Sequence, residues 1–86
     1  MWELYDVTNI KYLHNYIYWI EFENGVNGEV SFNEYVNSGV IFEPFKDLSF
    51  FQTAKIEGGT ISWSNGADIA PETLYKKVLM QEQKEP

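Results

Sequence analysis

The residues best suited to chemistry in this chain cluster near its end. Asn65-Gly66-Ala67-Asp68 follows Trp63 and precedes Tyr75. An Asn-Gly pair adopts positive φ readily, and an Asp just after it can accept from backbone N–H groups or from the start of a following helix. One reading is therefore a turn that fixes how the last helix leaves the sheet. The other is a recognition loop, with Trp63 and Tyr75 as aromatic walls and Asn65 and Asp68 as polar handles for a ligand.

Other constellations point less clearly to chemistry. Glu21, Glu23 and Glu29 flank one hairpin and could face one another, and paired carboxylates do acid–base work when burial drives their pKa values apart. Beside a hairpin loop they read as solvated. His14 is the single histidine and sits next to Asn15, so it reads as a solvated turn residue rather than a base. No cysteine is present, which removes disulfides, zinc thiolates and a cysteine nucleophile. No nucleophile–base pair, metal cluster or phosphate-binding glycine loop is legible, so an enzyme is not expected, and no cofactor.

Charge narrows the partners. There are 13 acidic residues against 6 basic ones, a net charge of −7, and every basic residue is Lys. Without Arg the bidentate grip on phosphate is missing, and an acidic surface releases no counterions from a polyanion. Direct nucleic-acid binding and anionic membrane surfaces are therefore not expected. The longest apolar run, Tyr16 to Ile20, is too short to span a bilayer. No basic-then-apolar leader is apparent, and the expected location is cytoplasmic.

The 86 residues suit one domain, read as 1–80 with a polar tail over 81–86. Size scaling gives a folded surface of about 5,300 Å², with roughly 64% of the unfolded surface buried. Residues 16–23 alternate, with Tyr16, Tyr18, Ile20 and Phe22 facing the core and Ile17, Trp19, Glu21 and Glu23 the other side. Asn24-Gly25 marks a hairpin, and Val26, Gly28, Val30 and Phe32 belong to the return strand, with Gly28 either a candidate bulge or the end of a wider loop from Asn24. Residues 3–13 read as a lead-in strand.

Ser31 and Glu34 fit a capping box for a short helix over 32–37, ending at a left-handed Gly39. Asp47 caps a turn that carries Leu48, Phe50 and Phe51. Strands over 53–57 and 60–63 flank Gly58-Gly59. Pro71 opens a final helix, with Leu74, Tyr75, Val78 and Leu79 on its apolar stripe. The expected fold is α+β: a small, mostly antiparallel sheet of four to five strands, short inserted helices and one C-terminal helix. Trp2, Tyr5, Tyr12, Tyr16, Tyr18 and Trp19 crowd one part of the sequence, either as core and rim or as an aromatic patch for dimerisation or partner binding.

Residues 61–75, Ile-Ser-Trp-Ser-Asn-Gly-Ala-Asp-Ile-Ala-Pro-Glu-Thr-Leu-Tyr, resemble the terminal signature of a small bacterial family catalogued as domain of unknown function 2442. Phe22-Glu23-Asn24-Gly25, Gly39-Val40-Ile41-Phe42-Glu43-Pro44 and Phe51 fit the same pattern, so the resemblance runs over about residues 4–76. Ser64 departs from it, where the family often has Pro. The resemblance implies a compact α+β domain with no established enzymatic activity. It also implies relatives that carry an added helix-turn-helix domain, and genes paired with a second small gene as in toxin–antitoxin modules. The expected function is thus a non-enzymatic protein–protein interaction domain, with a protein partner or a homodimer. It could be one half of such a two-gene module. The alternative is a small-ligand-binding or sensory domain.

Overall fold

The structure is a computed structural model and describes residues 6–83. Three strands, β1 (Val7–His14), β2 (Ile17–Phe22) and β3 (Asn27–Ser31), form an antiparallel sheet in the order β1-β2-β3. A second antiparallel sheet holds β4 (Lys55–Glu57), β5 (Thr60–Ser62) and β6 (Asp68–Ile69), in that order. Two 3₁₀ segments, Asn33–Tyr35 and Val40–Lys46, and the short α1 (Leu48–Phe51) lie between the sheets in sequence, and α2 (Pro71–Gln83) follows. In place of the expected single sheet of four to five strands, the described residues hold six strands in two three-stranded sheets. The sheets meet where the Val7 N–H donates to the Gly59 carbonyl at 2.9 Å.

The first hairpin forms as its alternation requires. Tyr18, Ile20 and Phe22 are buried on one face of β2, and Val30 and Phe32 are buried beside them. The register pairs Tyr18 with Val30 and Ile20 with Gly28, without a bulge at Gly28. Gly28 is needed for close approach instead: a Cβ there would sit 3.0 Å from Cγ1 of Val78 on α2. The irregularities fall in β1, between Val7 and Asn9 and between Tyr12 and His14. His14 is exposed at the end of that strand, and Asn15 takes φ 48° in the turn after it.

The expected helix over 32–37 shrinks to one 3₁₀ turn. Ser31 ends β3, so its Oγ accepts from the Asn33 N–H at 3.3 Å and no capping box closes. Glu34 turns instead to Lys77 of α2, at 2.9 Å. Gly39 is not left-handed: at φ 166°, ψ 170° it is fully extended and leads into the next 3₁₀ segment. Asp47 does cap α1, accepting from the Ser49 N–H at 3.0 Å and its hydroxyl at 2.7 Å. Those bonds hold the Asp47 carboxyl below the usual carboxylate range.

The core is aromatic. Tyr18, Phe32, Phe45, Phe51 and Trp63 are all buried and meet mostly edge to face, with Phe51 nearly stacked on Trp63 at 5.7 Å between centroids. Edge-to-face pairs set the positive ring rim against a negative face, a gain beyond simple burial. The helix α2 closes the core with Leu74 and Val78 and continues past position 80, where the sequence suggested a tail; residues 84–86 lie outside the described residues.

Candidate functional site

Trp63 is 2% exposed. Its indole N–H donates to the Phe51 carbonyl at 2.9 Å, and its ring lies 4.5 Å from that of Phe45. Asn65 is exposed in the β5–β6 turn: Oδ1 accepts from the Ala67 N–H at 3.1 Å, and Nδ2 donates to the Ile41 carbonyl at 2.9 Å. Asp68 is exposed on β6, where it pairs with Ser62 rather than standing at the start of α2. Tyr75 is half-buried, edge-on to Phe22 at 5.1 Å, and its hydroxyl accepts from Asn24 Nδ2 at 2.8 Å. Trp63 thus packs among Phe45 and Phe51, while Tyr75 packs against the first hairpin. Asn65 joins the turn at 64–66 to the segment 39–44, both part of the family pattern noted in the sequence. Val40 and Ile41 are exposed beside this link.

The outward face of the first sheet gathers a different group. Alternation places Ile17, Trp19 and Glu21 opposite the core-facing Tyr18, Ile20 and Phe22. Trp19 pairs with Lys11 on one side and Glu29 on the other, so the three side chains form one row across the sheet. Trp19 is half-buried, and its Nε1 donates to Asn27 Oδ1 at 3.3 Å, which leans the indole toward β3. Asn9 Nδ2 donates to Glu21 Oε1 at 2.9 Å.

Glu21 and Glu29 share this face, but they oppose Asn27 and Trp19 respectively, not each other. Among the described residues, no group of three or more His, Cys, Asp or Glu could hold a metal ion. Of the crowded aromatics, Tyr12, Tyr16 and Tyr18 pack toward the core, Trp19 faces outward, and Trp2 and Tyr5 lie outside the described residues.

The outer edge of β3 completes the group. Phe22 N–H donates to the Val26 carbonyl and Phe32 N–H to the Tyr16 carbonyl. The alternation of an antiparallel ladder then turns the backbone groups of Val26, Gly28, Val30 and Phe32 toward β2, and those of Asn27, Glu29 and Ser31 outward. β3 ends its sheet, so among the described residues no strand pairs with those groups. A surface depression of about 310 Å³ lies near the far end of β3, bordered by Asn15, Tyr16, Ile17, Ser31 and Asn33. Among the described residues, no helix is long and apolar enough to cross a membrane.

A family model described as "Protein of unknown function (DUF2442)" matches residues 7–79. The chain belongs to DUF2442. Comparisons with curated proteins and with solved structures return no match. The DUF2442 match spans all six strands and most of α2, so the paired sheets and the aromatic core both fall within it. Glu29 stands out in the sequence only as one of three hairpin carboxylates, and Asn27 and the row through Trp19 do not stand out, although the period-two pattern from the Asn24-Gly25 hairpin places them on one face.

Proposed function

We propose that this DUF2442 chain is a non-enzymatic protein–protein interaction domain. The observation that carries the reading is Trp19. It is a large aromatic on the sheet face turned away from the core, set between Lys11 and Glu29 with its indole leaning to a strand edge that no strand among the described residues pairs. Trp is the residue type most enriched among side chains that dominate interface energies, and a polar rim around it suits specific docking. The net charge of −7 favours a basic partner. In the finer form of the proposal the partner is encoded beside this chain, as in toxin–antitoxin modules.

Native mass spectrometry of the protein recovered from its own host tests this. A second polypeptide in fixed stoichiometry, lost in Trp19→Ser while the melting temperature is kept, supports the reading. A bare monomer, or a partner that Trp19→Ser retains, contradicts it.

A second reading is a small-ligand or sensory domain. The depression beside Asn15, Ser31 and Asn33 favours it, because its volume is at the lower end for ligand sites and its border offers amide and hydroxyl groups. It predicts an extra mass of a few hundred daltons (about the size of a metabolite that such a volume holds) in the same spectrum. That mass would be lost in Asn33→Ala.

A further inference from the structure

We propose that the outer edge of β3 receives an extended, cationic segment of a partner protein as a fourth strand, with a Lys or Arg side chain beside Glu29. This rests on the interaction reading above and names how the partner is held.

Strand addition needs a row of unpaired backbone groups on a rigid edge, and side chains that choose the incomer. Among the described residues, the N–H and C=O groups of Asn27, Glu29 and Ser31 form that row. β3 carries no Pro and no Lys, and its single charged residue, Glu29, repels an acidic or like-charged strand but not a cationic one. It is also stiff: Val30 is fully buried, and Gly28 is pressed against Val78 of α2. Little ordering is left to oppose docking.

Charge selects the occupant. Glu29 lies at the middle of β3, and Trp19 stands next to it in the same cross-strand row, so a residue opposite Glu29 meets a carboxylate with an indole beyond it. A cationic side chain gains from both. A second copy of this chain is disfavoured. The antiparallel register that pairs all five residues of β3 with their copies sets Glu29 directly against Glu29, and like charges so placed are destabilising. Two chains of net charge −7 add to that repulsion.

The test is an NMR titration of the intact chain with a blocked seven-residue peptide that alternates Val or Thr with Lys, beside the same peptide with Glu for Lys. The Lys peptide is expected to shift and protect the amides of Asn27, Glu29 and Ser31, and the Glu peptide to leave them unchanged. Glu29→Lys should weaken the Lys peptide by roughly tenfold, since a favourable cross-strand pair becomes a repulsive one. Glu29→Pro should abolish binding. Its lost N–H points outward, so the ladder to β2 stays whole. Should Glu29→Pro fail to fold, Glu29→Lys and the two peptides decide.

Equal binding of both peptides, amide shifts centred elsewhere, or a folded Glu29→Pro that still binds would overturn the proposal. A host partner retained by both Glu29 variants would remove the edge proposal and leave the interaction domain standing. No host partner and no response to millimolar Lys peptide would remove both.

Discussion

Tyr18 and Trp63 share one acceptor. The Tyr18 hydroxyl and the Trp63 indole N–H both donate to the Phe51 carbonyl, at 2.8 and 2.9 Å, with the two rings 6.4 Å apart. A carbonyl has two acceptor positions, and both are used by buried donors, one on β2 and one just after β5. The last residue of α1 therefore ties β2 to the residue just after β5. Trp63→Phe keeps a ring but gives up one of these bonds, at about 1 kcal/mol. Trp63→Ala also opens a cavity and is expected to cost about 3–5 kcal/mol. Urea unfolding measures both. If Trp63→Ala left stability unchanged and abolished binding of a metabolite, Trp63 would be a ligand wall after all.

Tyr18 also sets a pH dependence. Burial pushes its pKa up from 10.0 to about 12, partly opposed by the Ala54 N–H that donates to its oxygen at 3.2 Å. The folded chain thus holds the Tyr18 proton more tightly than the unfolded chain does. Its contribution is complete below about pH 10 and declines as pH rises through about 12. Tyr18→Phe should cost about 1–3 kcal/mol at neutral pH, because the Ala54 N–H loses its acceptor. It should also flatten the fall of melting temperature in that alkaline range. Circular dichroism melts from pH 9 upward, with tyrosinate absorbance followed in parallel, check both parts.

Gly28 sets the spacing between β3 and α2. A Cβ there would lie 3.0 Å from Val78 Cγ1. Gly28→Val is expected to destabilise by about 1–3 kcal/mol, as overpacking does. It should also speed amide exchange in α2 around Val78. A variant as stable as the parent would show that the helix can shift outward at no cost.

Asn65 joins two separate stretches of chain through the Ile41 carbonyl and the Ala67 N–H. Asn65→Ala should lose about 1–2 kcal/mol for the two bonds together. The backbone from Val40 to Phe42 should exchange faster, while the aromatic core stays intact. Hydrogen exchange confined to the 64–67 turn would contradict the link.

The hairpin of β2 and β3 was plain in the sequence, since Tyr18, Ile20, Phe22 and Val30 alternate around Asn24-Gly25 with nothing to compete. The second sheet was harder to see. β6 has only two residues, Asp68 and Ile69, too few to show a period, so the sequence leaves Asp68 open as a turn residue, a helix cap or a ligand handle and gives no sign of a strand. Gly39 and Ser31 misled because their local signals fit a helix, whereas Ser31 is committed to the ladder with Ile17 and Gly39 runs extended. The candidate site was legible in types but not in placement. Trp63 and Tyr75 lie near each other in sequence, yet one is spent on Phe51 and the other reaches Asn24 across 51 residues. Contacts at that separation leave no periodic trace.

The most direct test of the account is amide hydrogen exchange at Asn27, Glu29 and Ser31, measured on the free chain and on its complex with the partner recovered from the host. The account predicts fast exchange at these three amides in the free chain and strong protection in the complex. Amides already protected in the free monomer, or protection in the complex that falls elsewhere and leaves these three fast, would contradict it.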